Sequence, residues 1–362
     1  MMRIDGMRDE ILSPENIYAA ARHCVSTRSD KGEVAEFLKD PETKLQNLRE
    51  SLLNRTFVSS EYNIFERMER GKLRQVCDLP LYPDRIAHEA VMRVVDRKID
   101  RKFIAQTHAS RKGHGTHSAV SNVKRYLDGD PRIKFALKMD VRKFFQSLSK
   151  RVVMRVIADN IKDHWVVWFL YRCLDDFPMD EMPLGMRFSP TLANMVLSIV
   201  DHRMKEVYHV HYYVRYMDDV IILGYSKAWL RKIKDAFAAE IGELGLSLKG
   251  NWQIFPIESR GIDFVGYVIY PTHILLRKST KQNLKKAVSG ILKELESGKE
   301  YTDHMRAVVD SYRRVLKWCD SHYLYLSTIG KVDELLEQRE RERIGFFAFR
   351  ALNLFTQHEV FA

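Results

Sequence analysis

Cysteine is scarce in this 362-residue chain: Cys24, Cys77, Cys173 and Cys319 stand far apart and no CxxC pair occurs. That spacing excludes a zinc finger and a dense disulfide framework, and leaves buried or incidental thiols. Long apolar runs are also missing. No stretch approaches the ~18–20 residues that span a bilayer, and the opening MMRIDGMRDE is charged from the start. A cytoplasmic protein without a membrane partner is therefore expected. Glycine (17) and proline (10) form no linker and there are no internal repeats, so the subdomains are expected to pack closely. An acidic excess is lacking too: 59 Lys and Arg against 48 Asp and Glu leave a net charge of +11. That balance favours a polyanionic partner such as nucleic acid or a membrane surface, the alternative being a merely basic solvated exterior.

What is present is 45% hydrophobic residues in a chain long enough for two or three subdomains. Apolar spacing predicts helices over residues 1–60, punctuated by Pro14 and Pro41. Residues 61–135 combine a strand-like piece (EYNIFERMERGKLRQVCDLP), a helix (DRIAHEAVMRVVDRKID) and a basic loop (SRKGHGTHSAV). From 136 to 271 a buried strand (FALKMDV) leads into helices, a loop (PMDEMPLGMRFSP) and the apolar helix TLANMVLSIVDHRM. A hairpin, an amphipathic helix and two further strands, SLKGNWQIFPI and IDFVGYVIY, follow. Residues 272–362 read as helical and basic. The pattern predicts an α+β layer with helices on one face of an antiparallel sheet.

The chemistry lies in carboxylates at the ends of apolar strands: Asp140 in FALKMDV, and the neighbours Asp218 and Asp219 in VRYMDDVIILG. A buried carboxylate is costly unless it is paired or binds a metal. Adjacent strand residues point to opposite faces, but at a hairpin turn both can sit near the tip. If the strand bearing Asp140 lies beside that hairpin, Asp140 and Asp218 converge as oxygen ligands for two divalent cations. Taken alone, Met-Asp-Asp reads better as a polar turn than as a site.

The flanks resemble a known family. Val214-Arg215-Tyr216-Met217-Asp218-Asp219 resembles the catalytic hairpin of reverse transcriptases, and Asp140-Val141-Arg142-Lys143-Phe144-Phe145 their first acidic motif. Gly185-Met186-Arg187-Phe188-Ser189-Pro190 with Leu192-Ala193-Asn194 resembles the loop and helix that hold nucleotide and template. Gly261-Ile262-Asp263-Phe264-Val265-Gly266-Tyr267 resembles the strands at the primer end. Leu79–Ile86, Ser110–His117, Asn251–Pro256 and Leu275–Lys278 are similar to finger and flanking motifs of bacterial retroelement enzymes, the diversity-generating and group II-like kinds and those associated with phage defence.

The resemblance implies a right-hand polymerase: an N-terminal helical extension (1–60), fingers (61–135), a palm with an antiparallel RRM-like sheet (136–271) and a basic helical thumb with its tail (272–362). It implies Asp140, Asp218 and Asp219 as catalytic carboxylates, with the Val141 carbonyl as a further ligand to two Mg2+ ions, for which Mn2+ substitutes. Phe145 would pack under the sugar and exclude a 2′-hydroxyl. Arg111, helped by Lys72 and Arg74, would contact the triphosphate through bidentate guanidinium geometry. Leu184, Gly185 and Ser189 would line the nucleotide site, and Tyr216, Met217, Gly266, Tyr267, Arg277 and Lys278 would touch nucleic acid. Two positions depart from the family pattern. Leu184 stands where many members have Gln, as in the low-fidelity diversity-generating group, yet Ser189-Pro190 departs from that group's Ser-Gln. Trp252 stands where many members have a Lys, with Lys249 nearby.

The implied activity is RNA-templated DNA synthesis from dNTPs on a dedicated structured non-coding RNA, yielding cDNA, in antiphage defence or sequence diversification. An accessory protein subunit is a further expected partner. A template-independent or RNA-primed nucleotidyltransferase and a catalytically idle RNA-binding scaffold are the alternatives.

Overall fold

The computed structural model describes residues 3–28, 30–69 and 71–358, with the side chains of Glu69, Lys72, Arg343 and 345–358 outside that description. The chain divides into two compact units, Met1–Pro256 and Ile257–Ala362.

In the first unit the leading helices are Arg8–Ile11, Pro14–Thr27, Lys31–Leu38 and Pro41–Leu53. Each Pro sits in the first turn, where its missing N–H is not needed, behind an N-cap that accepts from the backbone: Ser13 from Asn16, Asp40 from Thr43. These helices are no loose extension. Ile4, Met7, Ile11, Ile17 and Leu48 are buried in the same core as the central helices, and Asp163 Oδ2 accepts from the Met7 and Arg8 amides at 2.7 and 3.1 Å.

Strands β1 (Asn63–Glu69) and β2 (Lys72–Asp78) form an antiparallel hairpin. The central sheet has β3 (Phe135–Asp140), β4 (Tyr213–Tyr216), β5 (Asp219–Gly224) and β6 (Gln253–Pro256) in the order β4-β5-β3-β6, every neighbouring pair antiparallel. Val220 to Leu223 are buried without alternation, because the sheet is covered on both faces. Helix Lys227–Gly242 packs on β3, β5 and β6, and helix Thr116–Gly129 packs on β4. The long apolar helix Ser189–Glu206 is buried along most of its length.

The second unit opens with the three-stranded meander β7 (Ile262–Phe264), β8 (Tyr267–Ile269) and β9 (Ile274–Leu276). Helices Lys278–Glu296, Asp303–Leu316, His322–Leu326 and Ile329–His358 follow. Two sequence-based expectations change here. IDFVGYVIY is not one strand: Val265 (φ 42°) and Gly266 (φ 98°) take left-handed backbone and fold it into the β7–β8 hairpin. SLKGNWQIFPI is a strand only over Gln253–Pro256, with Leu248 making an isolated bridge to Val141. The α+β class with antiparallel sheets is as expected. No helix among the described residues is long and apolar enough to cross a membrane.

Candidate active site

β3 ends at Asp140, and the β4–β5 hairpin turns through Met217 and Asp218 between the paired Tyr216 and Asp219. Because β3 lies beside β5 with Asp140 opposite Asp219, the strand end and the hairpin tip meet at one edge of the sheet. The junction is cross-linked: Val141 N–H donates to the Asp218 carbonyl at 3.3 Å, and Lys249 N–H donates to the Asp140 carbonyl at 2.9 Å. Two residues beside these carboxylates hold left-handed backbone without being glycine, Lys143 (φ 45°) and Met217 (φ 53°). Such conformations persist only where surrounding structure imposes them, and they concentrate at functional sites.

Asp140, Val141 and Asp218 line a cavity of about 670 Å3. Its walls include Phe145, Leu184 and Arg74. Burial, reinforced by repulsion from Asp140, pushes the Asp218 carboxyl up to about 7. Lys249 Nζ lies 3.0 Å from Asp140 Oδ2. Asp219 is not among the lining residues; its Oδ2 lies 3.9 Å from Lys138 Nζ, as strand alternation requires of a neighbour of Asp218.

Among the described residues no group of three or more His, Cys, Asp or Glu side chains is gathered as a metal shell. The donors that do meet, two carboxylates facing one cavity at an edge where their charges repel, are hard oxygens of the kind that suits a divalent cation such as Mg2+. The residues present therefore fit such an ion, with Asp140 and Asp218 as the pair that would hold it.

The nucleotide-loop residues are brought to the same cavity by a backbone contact. Cys77 N–H on β2 donates to the Leu184 carbonyl at 2.7 Å. Gly185 follows with φ 107°, and a Cβ there would lie 2.4 Å from the Cys77 carbonyl oxygen, so only glycine permits this approach. Ser189 is buried and donates to the Pro183 carbonyl at 2.5 Å, which fixes the loop's return into helix Ser189–Glu206. It bounds the loop and does not face the cavity.

Arg111 is not brought there. Its guanidinium is buried on Asp100 (2.6 and 3.1 Å) and on the carbonyls of Ile104 (2.8 Å) and Thr107 (2.7 Å). It lines a separate and larger cavity of about 850 Å3 with Arg93, Arg97, Lys112 and Arg187. The four bonds occupy most of its donors, which is a physical reason against the expected triphosphate contact. Lys72 begins β2, and its side chain lies outside the described residues. Tyr216 and Met217 sit at the hairpin tip. Gly266, Tyr267, Arg277 and Lys278 belong to the second unit. There Gly266 carries the β7–β8 turn and accepts from Arg277 N–H at 2.9 Å. The Tyr267 hydroxyl donates to the Val315 carbonyl at 3.0 Å, Arg277 pairs with Asp263 at 2.5 Å, and Lys278 is exposed.

Two groups escape sequence reasoning. Arg187 bridges Glu89 (2.6 Å) and Asp96 (2.7 Å) at the wall of the larger cavity. Arg215 and Asp201 form a fully buried ion pair directly behind the carboxylate hairpin. The available signal for the second was a lone arginine inside the apolar strand Tyr213–Tyr216.

The family described as reverse transcriptase (RNA-dependent DNA polymerase) matches residues 68–269, more than half of the chain. Protein YkfC of Escherichia coli (strain K12) is 23% identical over 296 residues, covering 69% of this chain and 76% of that protein. The group II intron-encoded protein LtrA of Lactococcus lactis subsp. cremoris is 22% identical over 204 residues, covering 53% of this chain and 34% of LtrA. Among solved structures, apo telomerase from Candida tropicalis aligns with a TM-score of 0.49 at 12% identity, over 66% of this chain and 53% of that one. The chain thus spans about three quarters of YkfC, a third of LtrA and half of the telomerase chain.

Proposed function

The chain belongs to the reverse transcriptase family, and from that premise we propose that it is an RNA-directed DNA polymerase working at the cavity behind Asp140 and Asp218. The observation that carries the reading is the meeting of these two carboxylates at the cavity that Phe145 and Leu184 also line. The proposed division is an N-terminal extension (1–60), fingers (61–135), palm (136–271) and thumb with tail (272–362).

In the proposed reaction a primer hydroxyl attacks the α-phosphate of a dNTP and pyrophosphate leaves. Two Mg2+ ions, when bound, supply charge stabilisation for the attacking and leaving oxygens. Asp140 and Asp218 would hold them, the Val141 carbonyl would assist, and Asp219 would contribute charge from the adjoining face. Phe145 selects dNTPs, since a ring beneath the sugar clashes with a 2′-hydroxyl. Arg74 in the cavity wall suits the triphosphate, and the bonds that Arg111 makes argue against giving it that task. Lys249, held on Asp140, is the cation nearest the carboxylates that could follow the leaving pyrophosphate. The larger cavity, lined by Arg93, Arg97, Lys112 and Arg187 as well as by Asp96 and Asp100, is the second surface we assign to a nucleic-acid strand.

The template we propose is a dedicated structured non-coding RNA in the cytoplasm, copied for antiphage defence or for sequence diversification, with an accessory protein subunit as a further partner. Sequencing the nucleic acid that co-purifies with the protein tests this: one recurrent RNA with matching cDNA is expected. Random cellular RNA without cDNA would sink the proposal. Supplying single dNTPs with and without that RNA separates template-directed synthesis from terminal transfer. An idle scaffold would keep its biological effect in Asp218→Asn.

A further inference from the structure

Arg215 is among the largest fully buried side chains in the protein, and it lies two residues from the tip of the carboxylate hairpin. Its Nε donates to Asp201 Oδ1 (2.8 Å) and Oδ2 (3.0 Å), and Nη2 to Asp201 Oδ2 at 2.5 Å. Its Nη1 donates to Asn194 Oδ1 and to the Met217 carbonyl, each at 2.9 Å. The carboxylate of Asp201 is filled from the other side by the Tyr213 hydroxyl (2.6 Å) and the Thr107 hydroxyl (2.9 Å). Asn194 donates to the Ala109 carbonyl at 2.9 Å. The backbone of Arg215 joins the same loop, its N–H donating to Gln106 (2.9 Å) and its carbonyl accepting from His108 N–H (3.0 Å).

A buried ion pair is weak evidence of stability, because desolvating both charges offsets most of their attraction. Its value here is geometric. The one bond from Arg215 that leaves the network ends on Met217, the left-handed residue whose carbonyl carbon is bonded to Asp218 N. An αL non-glycine residue relaxes unless held, and the peptide that would relax here aims Asp218 into the cavity. We propose that Arg215, backed by Asp201 and Asn194, is a positioning residue for Asp218. It locks the hairpin tip against helix Ser189–Glu206 and the 106–109 loop. The inference rests on the polymerase reading of the carboxylate cavity.

The test uses the full-length protein and two variants, Arg215→Lys and the double variant Arg215→Met with Asp201→Leu. The double variant removes both charges at similar volume, so neither ion is left stranded without its partner. Primer extension on the RNA template is measured against dNTP concentration and against Mg2+ concentration, with the divalent-ion-induced rise in melting temperature as an activity-independent readout. Folded variants are expected to lose about 100-fold in kcat, the scale of an ångström misplacement. The dNTP KM should stay within about twofold, and the melting-temperature rise with Mn2+ should be lost. A folded double variant with wild-type kcat and wild-type Mn2+ response overturns the proposal. Hydrogen exchange on the unmodified protein decides the matter even if neither variant folds. The amides of His108, Arg215 and Val141 should exchange only as slowly as those of β5, and faster exchange at all three overturns the lock. Absence of any synthesis by the unmodified protein refutes the polymerase reading instead, and leaves the exchange result to judge the lock alone.

Discussion

At the scale of single residues the site is an electrostatic conflict held in place by geometry. Burial and the neighbouring Asp140 disfavour the charged form of Asp218. Asp218→Asn should therefore remove a repulsion and a ligand together: cDNA synthesis should fall at least 1,000-fold by primer extension, while the melting temperature without divalent ions stays level or rises. A fall in melting temperature would show that the carboxylate serves the fold instead. Gly185→Ala tests the loop in the opposite sense. With φ 107° and a Cβ 2.4 Å from the Cys77 carbonyl, it must push β2 away from the loop. A loss of about 2 kcal/mol or more in urea unfolding is expected, with a raised dNTP KM. Leu184→Gln should lower misincorporation, read by sequencing the products; unchanged error rates would remove Leu184 from base selection. The sequence made Asp140, Asp218 and Gly185 legible because each stands inside a long local motif. It could not reveal the Arg215–Asp201 pair, whose members are separated by a helix end and a loop. Nor could it show that Arg111 bonds to Asp100, since nothing in Ser110–His117 distinguishes a paired arginine from a waiting one.

At the scale of elements, periodicity predicts helices such as Ile86–Ile99 and Ser189–Glu206 well, because each is long and punctuated. It fails where strands are short, as at the β7–β8 turn, because two left-handed residues in a nine-residue apolar run leave no compositional mark. It also says little about polar groups inside helices. His88, in helix Ile86–Ile99, is buried beside Phe169, Phe188 and the Cys173 thiol, and burial lowers it to about 3. His108 is held between Ser118 (2.9 Å) and Asn122 (3.1 Å), and burial, then His114, Arg111 and Arg125, lowers it to about 4. Both are neutral when folded but protonate near 6.5 when unfolded, so the unfolded chain binds more protons below that pH. Their contribution is fully present above about 6.5 and is lost as the pH falls toward 4 and 3. From pH 7.5 to 5 each should remove about 2 kcal/mol of unfolding free energy. Asp218, raised to about 7, takes up a proton in the folded state over the same range and offsets part of this loss. His108→Gln, which does not titrate, should therefore make urea unfolding at pH 5 relative to pH 7.5 about 2 kcal/mol less sensitive to acid. An unchanged acid sensitivity would show that other groups govern the acid response.

At the scale of the whole molecule, the net charge of +11 is carried in part by a surface designed around one helix of the second unit. In Lys278–Glu296 the buried residues Leu284, Val288, Ile291 and Leu295 recur at alternating intervals of four and three, one apolar stripe facing that unit's core. Lys281, Lys285 and Lys286 are exposed off that stripe. Cations arranged this way are either solvated or matched to a phosphate backbone, and salt dependence separates the two. Each phosphate neutralised on a duplex releases condensed counterions and steepens the fall of log K with log salt by about 0.9. Replacing all three lysines with glutamine should flatten the measured slope by about 2 to 3 for an RNA–DNA duplex, followed by fluorescence anisotropy between low and physiological salt. The melting temperature should stay the same, since no buried group is altered. Affinity should fall most at low salt, and to the same degree for duplexes of unrelated sequence, because phosphate contacts carry no base information. If the slope is unchanged in the triple variant, these charges keep the protein soluble and the duplex is held elsewhere. The groove of Arg93, Arg97 and Arg187 in the first unit would then be the next surface to neutralise.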